Sequence, residues 1–218
     1  MPEVLEQQSI QSIDLKPGER GLIVGQTGTG KSVLAKSLLP KTGKLIIIDP
    51  KGEFEYFEPN GKQMPVYREL AAVKLRKPAR FIFRPREGDI ANIHVYDGVF
   101  QHAYEQGDTT VFVDEIIAFA NHNRYPHYMA VCYQMGRSKR VSILACTQRP
   151  KRIPEMVKTE SQRFYCFKLN NPEDIKEARS VCAGYDPARM PDYHSFLYYY
   201  NKAKPPMETA LLMRYILK

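Results

Sequence analysis

Gly25-Gln26-Thr27-Gly28-Thr29-Gly30-Lys31-Ser32 is the stretch whose reading decides the fold. It fits G-x-x-x-x-G-K-[ST], the phosphate-binding P-loop, and its surroundings fit as well. Gly21-Leu22-Ile23-Val24 before it reads as a buried strand, and Ser32-Val33-Leu34-Ala35-Lys36-Ser37-Leu38-Leu39 after it reads as a helix that stops near Pro40. Strand, loop and helix in that order are the context the motif requires. Glycines at 25, 28 and 30 let successive N–H groups aim at one point, and the helix N-terminus adds partial positive charge there. Gln26, Thr27 and Thr29 complete the loop. Lys31 is expected to reach the β- and γ-phosphates of ATP, and Ser32 Oγ to ligate Mg²⁺.

Working outward, Lys44-Leu45-Ile46-Ile47-Ile48 is a β-branched strand that runs into Asp49-Pro50-Lys51-Gly52-Glu53. Ligands bind at the C-terminal edge of open parallel sheets. Asp49 and Lys51 therefore belong either to a site or to ordinary turn chemistry, and the sequence weighs these equally. Residues 54–79 read as short elements covering one sheet edge, and Arg80-Phe81-Ile82-Phe83-Arg84, closed by Pro85, reads as an edge strand. Residues 99–104 suggest a helix closed by Gly107.

Thr110-Val111-Phe112-Val113-Asp114-Glu115 is an apolar strand ending in two carboxylates. Downstream of a P-loop this fits the Walker B element: Asp114 is expected on Mg²⁺, and Glu115 as the base that orients and deprotonates the attacking water. The spacing predicts a helix over 128–138, with Met129, Cys132, Tyr133 and Gly136 on its core face. Val141-Ser142-Ile143-Leu144-Ala145-Cys146 is a further buried strand, ending in Thr147-Gln148-Arg149-Pro150. If it lies between the P-loop strand and the Asp114 strand, Gln148 stands beside the γ-phosphate and senses it or positions water. Residues 161–169 form the last clear core strand and 172–181 a helix. Residues 196–200 and 209–213 form a C-terminal β-hairpin. The whole is one P-loop domain over residues 1–218, with 1–18 as a lead-in: a mainly parallel α/β sheet of the RecA-like type, flanked by helices.

The 218 residues carry a formal net charge of +8. That suits a polyanionic partner but also an ordinary basic surface. The local pattern says more: between Arg137 and Lys168, nine Lys or Arg stand against Glu155 and Glu160. The polar, basic and aromatic loop over 121–127 is a candidate nucleic-acid contact, or else a solvated connection. Cys132, Cys146, Cys166 and Cys182 lack C-x-x-C spacing and read as buried thiols. No apolar run is long enough to span a membrane, and the first residues lack the features of a signal peptide.

Taken together, residues 25–32, the Ile48-Asp49-Pro50-Lys51-Gly52-Glu53 stretch, the Asp114-Glu115 strand end, and Gly136-Arg137-Ser138 leading to Ala145-Cys146-Thr147-Gln148-Arg149-Pro150 resemble the FtsK–HerA superfamily of P-loop ATPases. In length the chain is most similar to genome-packaging ATPases of tailless icosahedral viruses with an internal membrane. The resemblance implies that the Gln148 strand sits between the P-loop and Walker B strands. It also implies a homo-oligomeric ring, usually a hexamer, around double-stranded DNA. Arg137, or alternatively Arg140, would reach a neighbour's nucleotide, and Arg137 is preferred. Partners at the capsid vertex or internal membrane, and a place in the host cytoplasm or the virion, follow from the same resemblance. The alternatives are a plasmid or conjugation-type pump, a low-turnover ATP-dependent assembly switch, and a small-molecule kinase. Glu115 and Gln148 argue against the switch, and the Gln148-Arg149-Pro150 strand end against the kinase.

Overall fold

The computed structural model describes residues 13–190, 195–201 and 211–214. In chain order the elements are β1 (Arg20–Val24), α1 (Lys31–Leu38), β2 (Lys44–Ile48), β3 (Val66–Tyr67), α2 (Leu70–Arg76), β4 (Arg80–Phe83), α3 (Ile93–Gln106) and β5 (Thr109–Val113). There follow α4 (His127–Met135), β6 (Ser142–Thr147), α5 (Glu155–Thr159), β7 (Arg163–Phe167), α6 (Pro172–Val181), β8 (Ser195–Tyr200) and β9 (Leu211–Arg214). One sheet takes the order β3-β4-β2-β5-β6-β1-β7-β8-β9. It is parallel from β3 through β7, and β8 and β9 join antiparallel.

The apolar runs of the strands follow from burial on both faces. Alternate residues enter two cores. Leu22, Ile46, Phe81, Val111 and Ile143 face one core, against side chains of α2 through α6. Ile23, Ile47, Ile82, Phe112 and Leu144 face the other, covered by α1 together with Phe54, Tyr56 and Met64. Local signals set the helix ends. Asn92 accepts from His94 N to open α3, and Gly107 at φ 57° closes it. Asn171 accepts from Glu173 N and Asp174 N, with Pro172 in the first turn of α6.

Several expectations need adjustment. β4 is not an edge strand: it pairs with β2 on one side and with the two-residue β3 on the other. Pro85 misleads because the ladder uses only Arg80 to Phe83, so the proline falls beyond it. The helix over 99–104 is the second half of the longer α3. The helix expected over 128–138 ends at Met135 and tightens into a 3₁₀ turn, Gly136–Lys139. The C-terminal hairpin forms from β8 and β9, paired Ser195 to Arg214 through Tyr198 to Leu211. The connection between these two strands lies outside the described residues, as does most of the lead-in.

Below the sheet, at the N-terminal ends of the strands, Arg163 is almost fully buried. Its Nε pairs with Glu19 (2.5 Å), its Nη1 donates to Tyr198 OH (2.6 Å), and its guanidinium lies 4.3 Å from the Tyr200 ring centre. Tyr200 OH closes the ring on Glu19 at 2.9 Å. This network joins the segment before β1 to the antiparallel strands, leaving the opposite edge of the sheet for the site.

Candidate nucleotide site

The C-terminal ends of β1, β2, β5 and β6 surround a cleft of about 270 Å³. Thr27, Gly28, Gly30, Lys31, Ser32, Lys51, Asp114, Glu115 and Gln148 all line it. The P-loop is seated between two strands: Gly25 N donates to Thr147 O (3.2 Å) and Gln26 N to Lys168 O (3.2 Å). Gly30, at φ 101°, turns the chain into α1. Thr29 Oγ1 and Lys31 Nζ both donate to Gln26 O, at 2.8 and 2.7 Å. The loop therefore holds its curved form through its own side chains. Burial pulls the Lys31 ammonium below its ordinary pKa, so an anion beside it is favoured.

β6 lies between β5 and β1, which is the neighbourhood Gln148 requires. Thr27 Oγ1 donates to Gln148 Oε1 at 3.0 Å, linking the P-loop to the end of β6. Glu115 stands in the left-handed region at φ 70°, and it is 6% exposed. Its Oε1 accepts from Thr147 Oγ1 and Gln148 N, both at 3.3 Å. The P-loop, the Glu115 strand end and the Gln148 strand end are thus joined by direct hydrogen bonds.

Asp114 lines the cleft next to Ser32. Burial, with the neighbouring Asp49 and Glu115 carboxylates, pushes it up to about 6. A partly buried carboxylate and a serine hydroxyl lining one cleft are hard-oxygen donors, which fit Mg²⁺.

The two readings of the Asp49-Pro50-Lys51-Gly52 stretch divide between its residues. Asp49 belongs to turn chemistry. It is fully buried, its Oδ1 accepts from Gly52 N (2.8 Å) and Glu53 N (3.3 Å), and its Oδ2 accepts from Phe54 N (3.1 Å) and pairs with Arg84 Nη2 (2.8 Å). Lys51 belongs to the cleft, with Nζ 3.3 Å from Glu115 Oε2. Sequence reasoning assigned no role to Thr147. A hydroxyl-bearing residue at the C-terminal end of the strand, where ligands bind in parallel sheets, is the signal that would have found it.

Arg137 lies at the far edge of the sheet, exposed in the 3₁₀ turn before β6 and packed near Gly18. The six residues of β6, about 20 Å of strand, separate it from Gln148. Arg140, beside it, pairs with Asp108 at 2.5 Å. Neither arginine reaches the cleft of its own chain. Loop residues 122–125 are exposed, and a His122 ring nitrogen bonds Lys151 O. All four cysteines are buried and free.

The family model of the helicase HerA central domain (DUF87) matches residues 17–97, which hold the P-loop and the Asp49 turn. The DNA packaging ATPase P9 of Enterobacteria phage PRD1 is 28% identical over 176 residues, covering 79% of this chain and 72% of the relative. The chain is a P-loop ATPase similar to the FtsK–HerA superfamily. Among solved structures, the ATPase superposes on the genome packaging NTPase B204 of Sulfolobus turreted icosahedral virus 2, in complex with sulfate. The TM-score is 0.73 at 15% identity, over 94% of this chain and 100% of B204. The N-terminal domain of zonular occludens toxin from Neisseria meningitidis gives 0.52 at 17% identity, over 92% of this chain and 94% of that one. At these identities the solved structures speak to the fold of the ATPase. Among its described residues, no helix is long and apolar enough to cross a membrane.

Proposed function

We propose that this ATPase is a DNA-translocating motor that drives double-stranded DNA into a preformed capsid. The observation that carries the hydrolytic half is the linkage of Glu115 to Gln148 N (3.3 Å) and of Gln148 to Thr27 of the P-loop (3.0 Å). A base and a γ-phosphate sensor that touch each other over one phosphate cleft suit hydrolysis better than a binding switch. The packaging half is supported by the PRD1 relative, which is similar across most of both chains.

In this reading residues 25–32 hold the phosphates: Gly25, Gln26 and Thr29 fix the curve of the loop through their own backbone bonds, N–H groups of Thr27, Gly28 and Gly30 are left for the phosphates, and Lys31 neutralises the terminal pair. Ser32 and Asp114 would hold Mg²⁺, which would withdraw charge from the phosphate oxygens. Glu115 accepts a proton from the water that attacks the γ-phosphorus, and the bond to the β-phosphate oxygen breaks to release ADP. Gln148 registers the terminal phosphate through its contact with Thr27. Arg137, exposed at the opposite sheet edge, acts on a neighbouring subunit's nucleotide in a homo-oligomeric ring, which we take to be a hexamer around the DNA. Residues 1–218 work as one domain of that ring, in the host cytoplasm and at the capsid's packaging vertex.

Steady-state hydrolysis with and without long double-stranded DNA tests this. Stimulation by duplex DNA is expected, together with ATP binding but only a small residual turnover by Glu115→Gln. Hydrolysis by Glu115→Gln at the wild-type rate, or stimulation by a small phosphate acceptor instead of DNA, would overturn the proposal.

A further inference from the structure

The carboxylate of Glu115 is held at both oxygens. Oε1 is held by β6, through Thr147 Oγ1 and Gln148 N. Oε2 is held by Lys51 Nζ at 3.3 Å, from the separate turn after β2. That turn is itself braced. Asp49 gathers three backbone N–H groups of residues 52–54 and pairs with Arg84. Gly52 takes φ 77°, and a Cβ there would stand 3.4 Å from Arg84 Cδ. A buried anchor thus aims an otherwise mobile lysine into the cleft that Lys31, Ser32 and Asp114 also line.

We propose that Lys51 is a positioning residue for Glu115, fixing the plane of its carboxylate for attack by water. The terminal torsion of a glutamate is broad and roughly two-fold. Contacts to Oε1 alone leave Oε2 free to swing. A second contact at Oε2 fixes the plane, and a carboxylate still has lone-pair sites left to receive the water's proton. The residue type matters. An ammonium is a point charge that engages one oxygen, whereas a guanidinium fork binds both and would occupy the sites the water needs. The side chain of Lys51 is 38% exposed and that of Glu115 8%. The pair therefore adds little to stability, and its effect falls on geometry.

The inference rests on Glu115 being the base. The test is Lys51→Met, which keeps the stem and removes the charge, made alone and together with Glu115→Gln. Misplacing a catalytic group by about 1 Å costs up to about 100-fold. The single variant should lose about 10- to 100-fold in kcat, with KM for ATP and thermal midpoint nearly unchanged. On the Glu115→Gln background it should change the residual rate less than about threefold, because residues acting as one unit are not additive. Wild-type kcat in Lys51→Met, with Glu115→Gln nearly inactive, overturns the role of Lys51 alone. So does a faster Lys51→Met, which would make the contact a lock. Loss of ATP affinity on the Glu115→Gln background would make Lys51 a phosphate ligand instead. A fully active Glu115→Gln removes the base and, with it, any role in positioning it.

Discussion

Replacing Asp49 with alanine removes the anchor of the turn that carries Lys51, and the cost can be worked from the contacts. Three backbone donors and one guanidinium lose their acceptor. Glu53 is exposed, so water replaces the carboxylate at its N–H. Phe54 is 2% exposed, so its N–H is left unsatisfied, at about 1–3 kcal/mol. Breaking a buried ion pair costs about 3–5 kcal/mol, but the Arg84 side chain is 20% exposed and partly rehydrates, which brings its share nearer about 2 kcal/mol. The sum is about 3–5 kcal/mol. For a chain of this size each kcal/mol moves the thermal midpoint by about 2–4 °C, so Asp49→Ala should melt about 6–20 °C lower. Asp49→Asn is the sharper variant. It conserves shape but turns an NH₂ donor towards Phe54 N and Arg84, which are donors themselves, so it should lose nearly as much. Scanning calorimetry on both variants checks this. If both melt within about 2 °C of wild type, Asp49 is not the anchor and the division of roles between Asp49 and Lys51 is wrong.

Gly25→Ala should lose about 5- to 150-fold in nucleotide binding in titrations with a fluorescent ATP analogue, since overpacking costs about 1–3 kcal/mol. The new Cβ would stand 2.5 Å from Phe167 Cβ, a rigid point on β7, and 2.9 Å from Thr29 Oγ1, so the loop must move. Binding of Mg²⁺-ATP should release protons at about pH 6 and hardly any at pH 8, because the cation must displace the proton that burial and the nearby Asp49 and Glu115 hold on Asp114 at about 6. Calorimetry in buffers of different ionisation enthalpy reads the difference between wild type and Asp114→Asn, and identical proton release by the two would refute the assignment. The same raised pKa has a sign in stability. From the ordinary 3.8 up to about 6 the folded chain binds more protons than the unfolded one, so the contribution of Asp114 to stability falls as pH rises through that window.

What the sequence makes legible is local. The P-loop, the Asp114-Glu115 strand end and the helix over 172–181 are each set by residues within one turn or strand, and each stands where its own residues place it. Pairings across the sheet are a different matter. The fate of Asp49 depends on Arg84, 35 residues away, and that of Lys51 on Glu115, 64 residues away. Nothing near Asp49 distinguishes a turn anchor from a ligand. β3 is only two residues long, below what alternation can reveal, so β4 read as an edge. The position of β6 between β5 and β1 came from resemblance and not from pattern, because a run of buried apolar residues carries no information about its neighbours.

That position also limits how the site can respond to a lost phosphate. β6 is buried along its whole length and hydrogen-bonded on both sides. It cannot shift without breaking two ladders at once, so rearrangement at Gln148 must be absorbed by the turn that follows. Asp174 and His122 hold that turn. Asp174, 1% exposed at the start of α6, accepts from Lys151 N at 3.2 Å and pairs with Arg149 Nε at 2.8 Å, and His122 bonds Lys151 O. Arg149 and Lys151 are partly exposed, and the His122 loop is at the surface. These contacts are therefore screened and easier to exchange than the ladders of β6. In the proposed motor, a change at Gln148 would therefore pass outward, towards α6 and the basic loop over 121–127, and not down β6 towards Arg137.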